Sequence, residues 1–369
     1  MKIKCNKTKL ISGISTVMKA VPSKSSMTIL ECILFTADEN GIKLTANDMD
    51  LGIETYIDGE VLIAGQIALE AKMIFEIVRS FSENDEDVVI ENEEDFTTYV
   101  SCGNPSFKIA GRSSEEFAYL PDIARSNPIE ISQFSLKEVI KQTIFSVSDN
   151  DTNKIMTGEY FEINGDNFKV VSLDGHRISI RQINLKNSYD EIKAIVPGKT
   201  LSEISKIIPG DVDKDVAIFF TENHVIFEFD TTTVISRLIE GTYFRIDQMI
   251  SNDYETKLEI NKKKLLESIS RATLLVKEGD KKPIIFTIDD ENVNLKINSS
   301  LGSMNEDIKV EKSGKDIMIG FNPKFLIDAI KVIDDETITL YMVNPKAPCI
   351  IKNDDESYLY LVLPVNFNS

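Results

Sequence analysis

Three stretches of the chain share one pattern of apolar and polar positions. They begin at Ile42 (IKLTANDMDLGIETYIDGEVLIAGQIALEAKMIFEIVRSF), Phe168 (FKVVSLDGHRISIRQINLKNSYDEIKAIVPGKTLSEISKII) and Val293 (VNLKINSSLGSMNEDIKVEKSGKDIMIGFNPKFLIDAIKVI). Each opens with alternating apolar and polar residues, the period of a half-buried strand. A polar turn and further alternation follow. Then apolar residues recur at three and four, which puts one apolar stripe on a short helix. Lysines in those helices align as Lys72, Lys199 and Lys324, so the offsets are 127 and then 125. A second set precedes the first: MKIKCNKTKLISGISTVMKAV, IEISQFSLKEVIKQTIFSVSD and LEINKKKLLESISRATLLVKE. Each of these reads as a short strand running into an amphipathic helix.

A repeat of this length predicts three similar domains. Turn formers cluster at 119–128 and 248–255, which sets the expected domains at 1–125, 126–250 and 251–369. The fold class is α+β, with two helices per domain packed on one face of an antiparallel sheet. At 369 residues the chain is too long for one core and suits this division.

Composition narrows the function. No window approaches 18 apolar residues, so no membrane span is expected. The opening MKIKCNKTKL lacks an apolar core, so no secretory leader is read there. Cys5, Cys32, Cys102 and Cys349 are scattered, without the spacing of a zinc site. They read as reduced core thiols of a cytoplasmic protein. No metal site and no cofactor is expected.

The net charge is −19, which taken whole argues against nucleic acid. The six helical segments alone, however, sum to +11. Lys72 and Arg79 are seven residues apart, as are Lys199 and Lys206, and Lys324 and Lys331. Seven residues make two helical turns, so each pair shares a face. A basic stripe repeated in every domain suits the phosphates of a nucleic acid, while an acidic exterior repels it elsewhere. There is no helix-turn-helix or zinc-finger pattern, so contact should carry no sequence information.

A domain of this size has a radius of gyration of about 14 Å, equivalent to a sphere of roughly 18 Å. Three such spheres in a ring leave a hole of only about 3 Å radius, whereas six leave roughly 18 Å, enough for a hydrated duplex. Two chains could therefore encircle DNA where one could not.

The stretch SLDGHRIS (172–179) carries one of the two histidines. An enzyme reading needs a nucleophile on His176 and an acid on its other nitrogen, and no nucleophile-elbow glycine pattern accompanies Ser172 or Ser179. His224 has no Asp or Glu at ligand spacing. A histidine in a turn can also be purely structural, or it can edge a binding groove. The acidic run 82–95 lacks the central Gly of a calcium loop and reads as a solvated turn. GDKKPI (279–284) reads as a plain loop. Two hypotheses from other classes remain: an acidic DNA mimic, which the basic helices oppose, and a three-repeat hydrolase using His176.

LTANDMDLGIE (44–54), SLDGHRIS (172–179), SRLIEGTYF (236–244), FNPKFLIDAIK (321–331) and the terminal YLVLPV (360–365) together resemble the bacterial replicative sliding clamps, the beta subunits of DNA polymerase III. The resemblance spans essentially the whole chain. It implies a non-catalytic processivity factor for DNA replication, a head-to-tail homodimer closed into a six-domain ring. Helices would line the pore and sheets the outer wall. It would encircle double-stranded DNA and tether the replicative polymerase catalytic subunit. A clamp-loader complex would open it, and other repair and replication proteins carrying clamp-binding peptides would share it.

The resemblance places a partner-peptide groove at Met156, Leu173, Gly175, His176, Arg177, Ile178 and Met249, completed by Pro348, Leu361, Leu363, Pro364 and Val365. In this reading His176 and Arg177 are the polar edges. The DNA-facing residues it implies are Lys24, Lys72, Arg79, Lys199, Lys206, Lys264, Arg271, Lys324 and Lys331. Leu173, Phe244, Gln248 and the tail VNFNS depart from the family pattern.

Overall fold

The computed structural model describes residues 1–82, 87–117, 120–121, 123–150, 152–277 and 282–367. Parts of three segments discussed above, 83–86, 118–119 with 122, and 279–281, lie outside them. Among the described residues are six α-helices: α1 (Lys7–Val17), α2 (Ala71–Ser80), α3 (Gln133–Thr143), α4 (Gly198–Ile207), α5 (Lys262–Thr273) and α6 (Pro323–Val332). Each follows a strand directly, as the repeat predicted. Capping explains several of the starts. The side chains of Asn6, Glu70, Asn261 and Asn322 accept hydrogen bonds from backbone N–H groups in the first turns of α1, α2, α5 and α6. Pro323 opens α6, where its missing N–H costs nothing.

Every strand pair is antiparallel, and the chain forms two compact units. The first comprises Met1–Ser135 and Glu203–Leu238. It holds a five-stranded sheet that ends on Ser106–Ala110. It also holds an eight-stranded sheet in which Thr232–Arg237 pairs with Leu51–Ile57. The second comprises Leu136–Ser202 and Ile239–Ser369. Its seven-stranded sheet pairs Arg177–Pro197 with Tyr358–Val362, and its four-stranded sheet ends on Gly302–Lys309. Both units cut through the central repeat. One of its hairpins extends the sheet of the first repeat, and the other extends the sheet of the third. Backbone pairing across the expected domain boundaries removes strand edges that would otherwise be open.

Each helix buries its apolar stripe. In the first unit Leu10, Ile14 and Val17 of α1 and Ala71, Ile74 and Val78 of α2 are fully buried. A side chain at Gly13 would collide with Ile57, so α1 needs the glycine to lie close on its sheet. In the second unit Leu265, Ile269 and Ala272 of α5 and Leu326, Ala329 and Ile330 of α6 share a core with Phe286, Leu295 and Phe321. All four cysteines are buried. Burial pushes the Cys349 and Cys5 thiols up to about 12, with Asp87 adding to the effect at Cys5.

The acidic run is corrected in part. Val88–Asn92, read as a solvated turn, forms a strand with Val88 and Ile90 fully buried. Alternation within the run prevailed over its charge.

Candidate functional site

The turn at Asp174–Arg177 joins two long strands, Gly158–Leu173 and Arg177–Pro197. Asp174 Oδ1 accepts hydrogen bonds from the backbone N–H groups of His176 at 2.9 Å and Arg177 at 3.1 Å. Gly175 sits at φ +85°, a left-handed conformation that glycine takes without strain. The hydroxyl of Ser172 donates to Thr143 O, and Ser179 Oγ lies 2.6 Å from Ser146 Oγ. Both serines are therefore engaged away from His176, and the Asp174 carboxylate is taken up by backbone and by Arg177. The arrangement does not build a catalytic relay.

The sequence reads Arg177 as a polar edge of the groove; it lines the cleft, but it is only 9% exposed. Its Nε donates to Asp174 Oδ2 at 2.9 Å, its Nη1 to Asp328 Oδ2 at 2.7 Å and its Nη2 to Phe145 O. The guanidinium stacks 4.4 Å over the Phe325 ring and 5.5 Å over Phe145. These contacts hold the group in place, so it braces the turn against α6. His176 remains exposed, its ring stacked on Phe325 at 6.1 Å, and its carbonyl accepts Leu363 N–H at 2.9 Å.

Beside this turn lies a cleft of about 270 Å³ lined by Met156, Leu173, Gly175, His176, Arg177, Ile178, Phe244, Met249, Pro348, Leu361 and Leu363. Its floor is apolar, with Leu173, Ile178 and Leu361 each at most 6% exposed. All of these residues belong to the second unit, and strand pairing puts Ile178 opposite Leu361. Pro364 and Val365, expected in the groove, are not among its lining. Val365 N–H donates instead to Gly320 O at 2.8 Å, so the tail has turned away onto a neighbouring strand. Phe244 lines the cleft, although the sequence marks it only as a departure from the family pattern. Its signal was its place beside Tyr243, whose hydroxyl donates to Val171 O and whose ring stacks on Tyr160.

All nine basic residues expected to face DNA are exposed. Three are already paired: Arg79 with Glu76 at 2.8 Å, Lys206 with Glu203 at 2.7 Å and Arg271 with Glu306. In α2 and α4 the second basic residue is thus partly neutralised by an acid one turn earlier. Lys24, Lys72, Lys264, Lys324 and Lys331 make no ion pair among the described residues. Lys199 and Lys324 come together on the walls of one cavity of about 550 Å³, which Arg177 and Asp328 also line. Arg177 therefore forms a wall common to the apolar cleft and the basic cavity. Among the described residues no cluster of His, Cys, Asp and Glu could hold a metal ion.

The chain matches three family models in succession: the N-terminal domain of the DNA polymerase III beta subunit over residues 1–121, the central domain over 130–244 and the C-terminal domain over 247–366. It is 31% identical over 366 residues to the beta sliding clamp of Staphylococcus epidermidis, covering 96% of each chain. Among solved structures, it superposes with a TM-score of 0.95 and 61% identity on a chain from Eubacterium rectale described as a DNA polymerase III beta subunit, covering 100% of both. It superposes with a TM-score of 0.93 and 30% identity on the DNA polymerase sliding clamp of Bacillus subtilis, again covering 100% of both.

Proposed function

The chain belongs to the DNA polymerase III beta-subunit family, the beta sliding clamps, and from that premise we propose how its own residues do the work of a clamp. It is a sliding clamp, the non-catalytic processivity subunit of the polymerase, and it binds DNA and polymerase partners. The basic helix faces carry the rest of the reading: eight exposed cations on helices, with Lys24 in the bend that follows Ala20, in a chain with net charge −19. They are the phosphate contacts, through which duplex DNA is held without regard to sequence.

Two copies close into a ring of six domains, with domain boundaries near 125 and 250 in each chain. The open edge strand Ser106–Ala110 of one protomer pairs with the open edge strand Gly302–Lys309 of its partner. Three exposed apolar side chains support this, because they flank these edges: Phe107 at 38%, Leu274 at 78% and Leu301 at 53%. Unpaired edges with such neighbours favour a partner.

The apolar cleft takes an extended peptide ending in a large hydrophobe. Such peptides belong to the replicative polymerase catalytic subunit, the clamp-loader complex, and other repair and replication proteins. The place of action is the cytoplasm. No helix among the described residues is long and apolar enough to cross a membrane.

One experiment tests the ring. The clamp is loaded onto nicked circular DNA by its loader and then followed after the circle is cut. Retention on the circle with rapid loss on linearisation is the expected result, and Leu274→Asp should be lost from both. Equal retention on circular and linear DNA would sink the reading.

A further inference from the structure

The cleft of the second unit has a counterpart in the first. The strand pair Ile178↔Leu361 corresponds to Gly52↔Ile235, with both residues displaced by 126. The turns correspond too. Asp48 Oδ1 accepts N–H groups from Asp50 at 3.1 Å and Leu51 at 2.8 Å, as Asp174 does from His176 and Arg177. Met49 stands at φ +81° where Gly175 stands at +85°. A non-glycine side chain held in this region is strained, and such strain clusters at functional sites.

This frame encloses a cavity of about 320 Å³, wholly within the first unit. Its floor is Leu51, Ile235 and Leu120. Leu120 fills the space that a side chain at Gly52 would need, and so replaces Ile178. Met49 stands at the mouth, 59% exposed. The rim chemistry has changed. Arg237 replaces Leu363, and His224, its cross-strand partner, replaces Pro348. Arg237 is exposed and makes no ion pair among the described residues. Burial first, and Arg237 second, hold the His224 pKa below its usual range. Asp50 is the one acid among the lining residues and opposes a second acidic group.

We infer that this cavity is a second docking site, for an extended peptide segment that carries one carboxylate beside a bulky apolar side chain. The apolar group enters over Leu120 and Ile235, and the carboxylate pairs with Arg237 beside His224. The inference rests on the reading of the second unit's cleft as a peptide groove, and it assigns the two sites different ligands. A purely apolar anchor suits the cleft at Leu363, and an acidic one suits the cavity at Arg237.

The test uses the full-length protein with labelled methionine methyl groups, followed by NMR. Met49 reports the new site, whereas Met156 and Met249 report the cleft. The probes are acetyl-Leu-Glu-Phe-amide and its Leu-Gln-Phe counterpart. The acidic probe should shift Met49 saturably and bind at least about tenfold tighter than the neutral one, the worth of one charge-assisted hydrogen bond. Arg237→Glu should abolish the Met49 shift and leave the responses of Met156 and Met249 to an apolar peptide intact. No shift at Met49, equal binding of the two probes, or an unchanged shift in Arg237→Glu would each overturn the inference. Silence at Met156 and Met249 with a normal response at Met49 would overturn only the reading of the cleft.

Discussion

Arg177 Nη1 and Asp328 Oδ2 lie 2.7 Å apart, joining the turn after Leu173 to helix α6 across 151 residues of sequence. The side chains are only 10% and 24% exposed. Losing one member leaves the other charge poorly solvated and Asp174 without its partner. Arg177→Met should therefore cost about 3–5 kcal/mol, read as a shift in denaturant midpoint. Asp328→Asn keeps a hydrogen-bond acceptor and should cost less. A midpoint for Arg177→Met unchanged within error would mean that the brace carries no stability.

Glu159 should weaken the fold as pH rises. Neither of its carboxylate oxygens has a hydrogen-bond partner, and the nearby Thr143 hydroxyl is committed to Val139 O and Ile140 O. Burial raises its pKa well above the ordinary carboxylate range. The folded pKa is above the unfolded one, so the stabilising contribution is full below about pH 4.5 and is lost as pH rises towards the folded pKa. The loss approaches about 1.4 kcal/mol per pH unit. Glu159→Ile should stabilise the protein, and its advantage over the native chain should be larger at pH 7 than at pH 5. An advantage independent of pH would show that Glu159 does not hold its proton on folding.

Leu363→Ala should weaken peptide binding at the cleft by about ten- to a hundredfold, from a loss of roughly 1–3 kcal/mol of apolar contact. Retention on circular DNA should not change, because Leu363 lies on the cleft and not on a basic helix face. Fluorescence anisotropy with a labelled partner peptide and a DNA-retention assay on the same variant separate the two activities. Peptide affinity equal to the native value would mean that the groove lies elsewhere.

The lysines should not be equivalent. Lys72→Glu and Lys324→Glu should shorten retention on DNA for any sequence and flatten its dependence on salt. Lys206→Glu should do less, because Glu203 already holds Lys206 at 2.7 Å. Folding should survive all three changes, since exposed substitutions cost little. Equal effects of Lys206→Glu and Lys324→Glu on the salt slope would show that the helix pairing is irrelevant in the complex.

Local pattern determined much of this protein. Apolar spacing of two and of three to four fixed the strands, the six helices and the threefold repeat, because each depends only on neighbours along the chain. The uneven charge was equally legible, since Lys72, Lys199 and Lys324 mark the same face of three related helices. Most of the cleft followed from the family resemblance carried by a few short motifs. What the tertiary structure decided were the pairings between distant strands. Ile178 meets Leu361 and Gly52 meets Ile235 only through registers set between repeats. Those registers create one apolar cleft and one with a charged rim, which the repeat pattern alone does not distinguish. Glu159 is buried because it faces Val196, the same position in the frame that Ile33 and Ile284 hold against Leu69 and Phe321. Arg177 reads in sequence as a polar edge of the groove. It is an interior brace because Asp328 and Phe325 arrive from a distant helix to satisfy its charge, and a side chain's direction is set by the partners that packing brings to it.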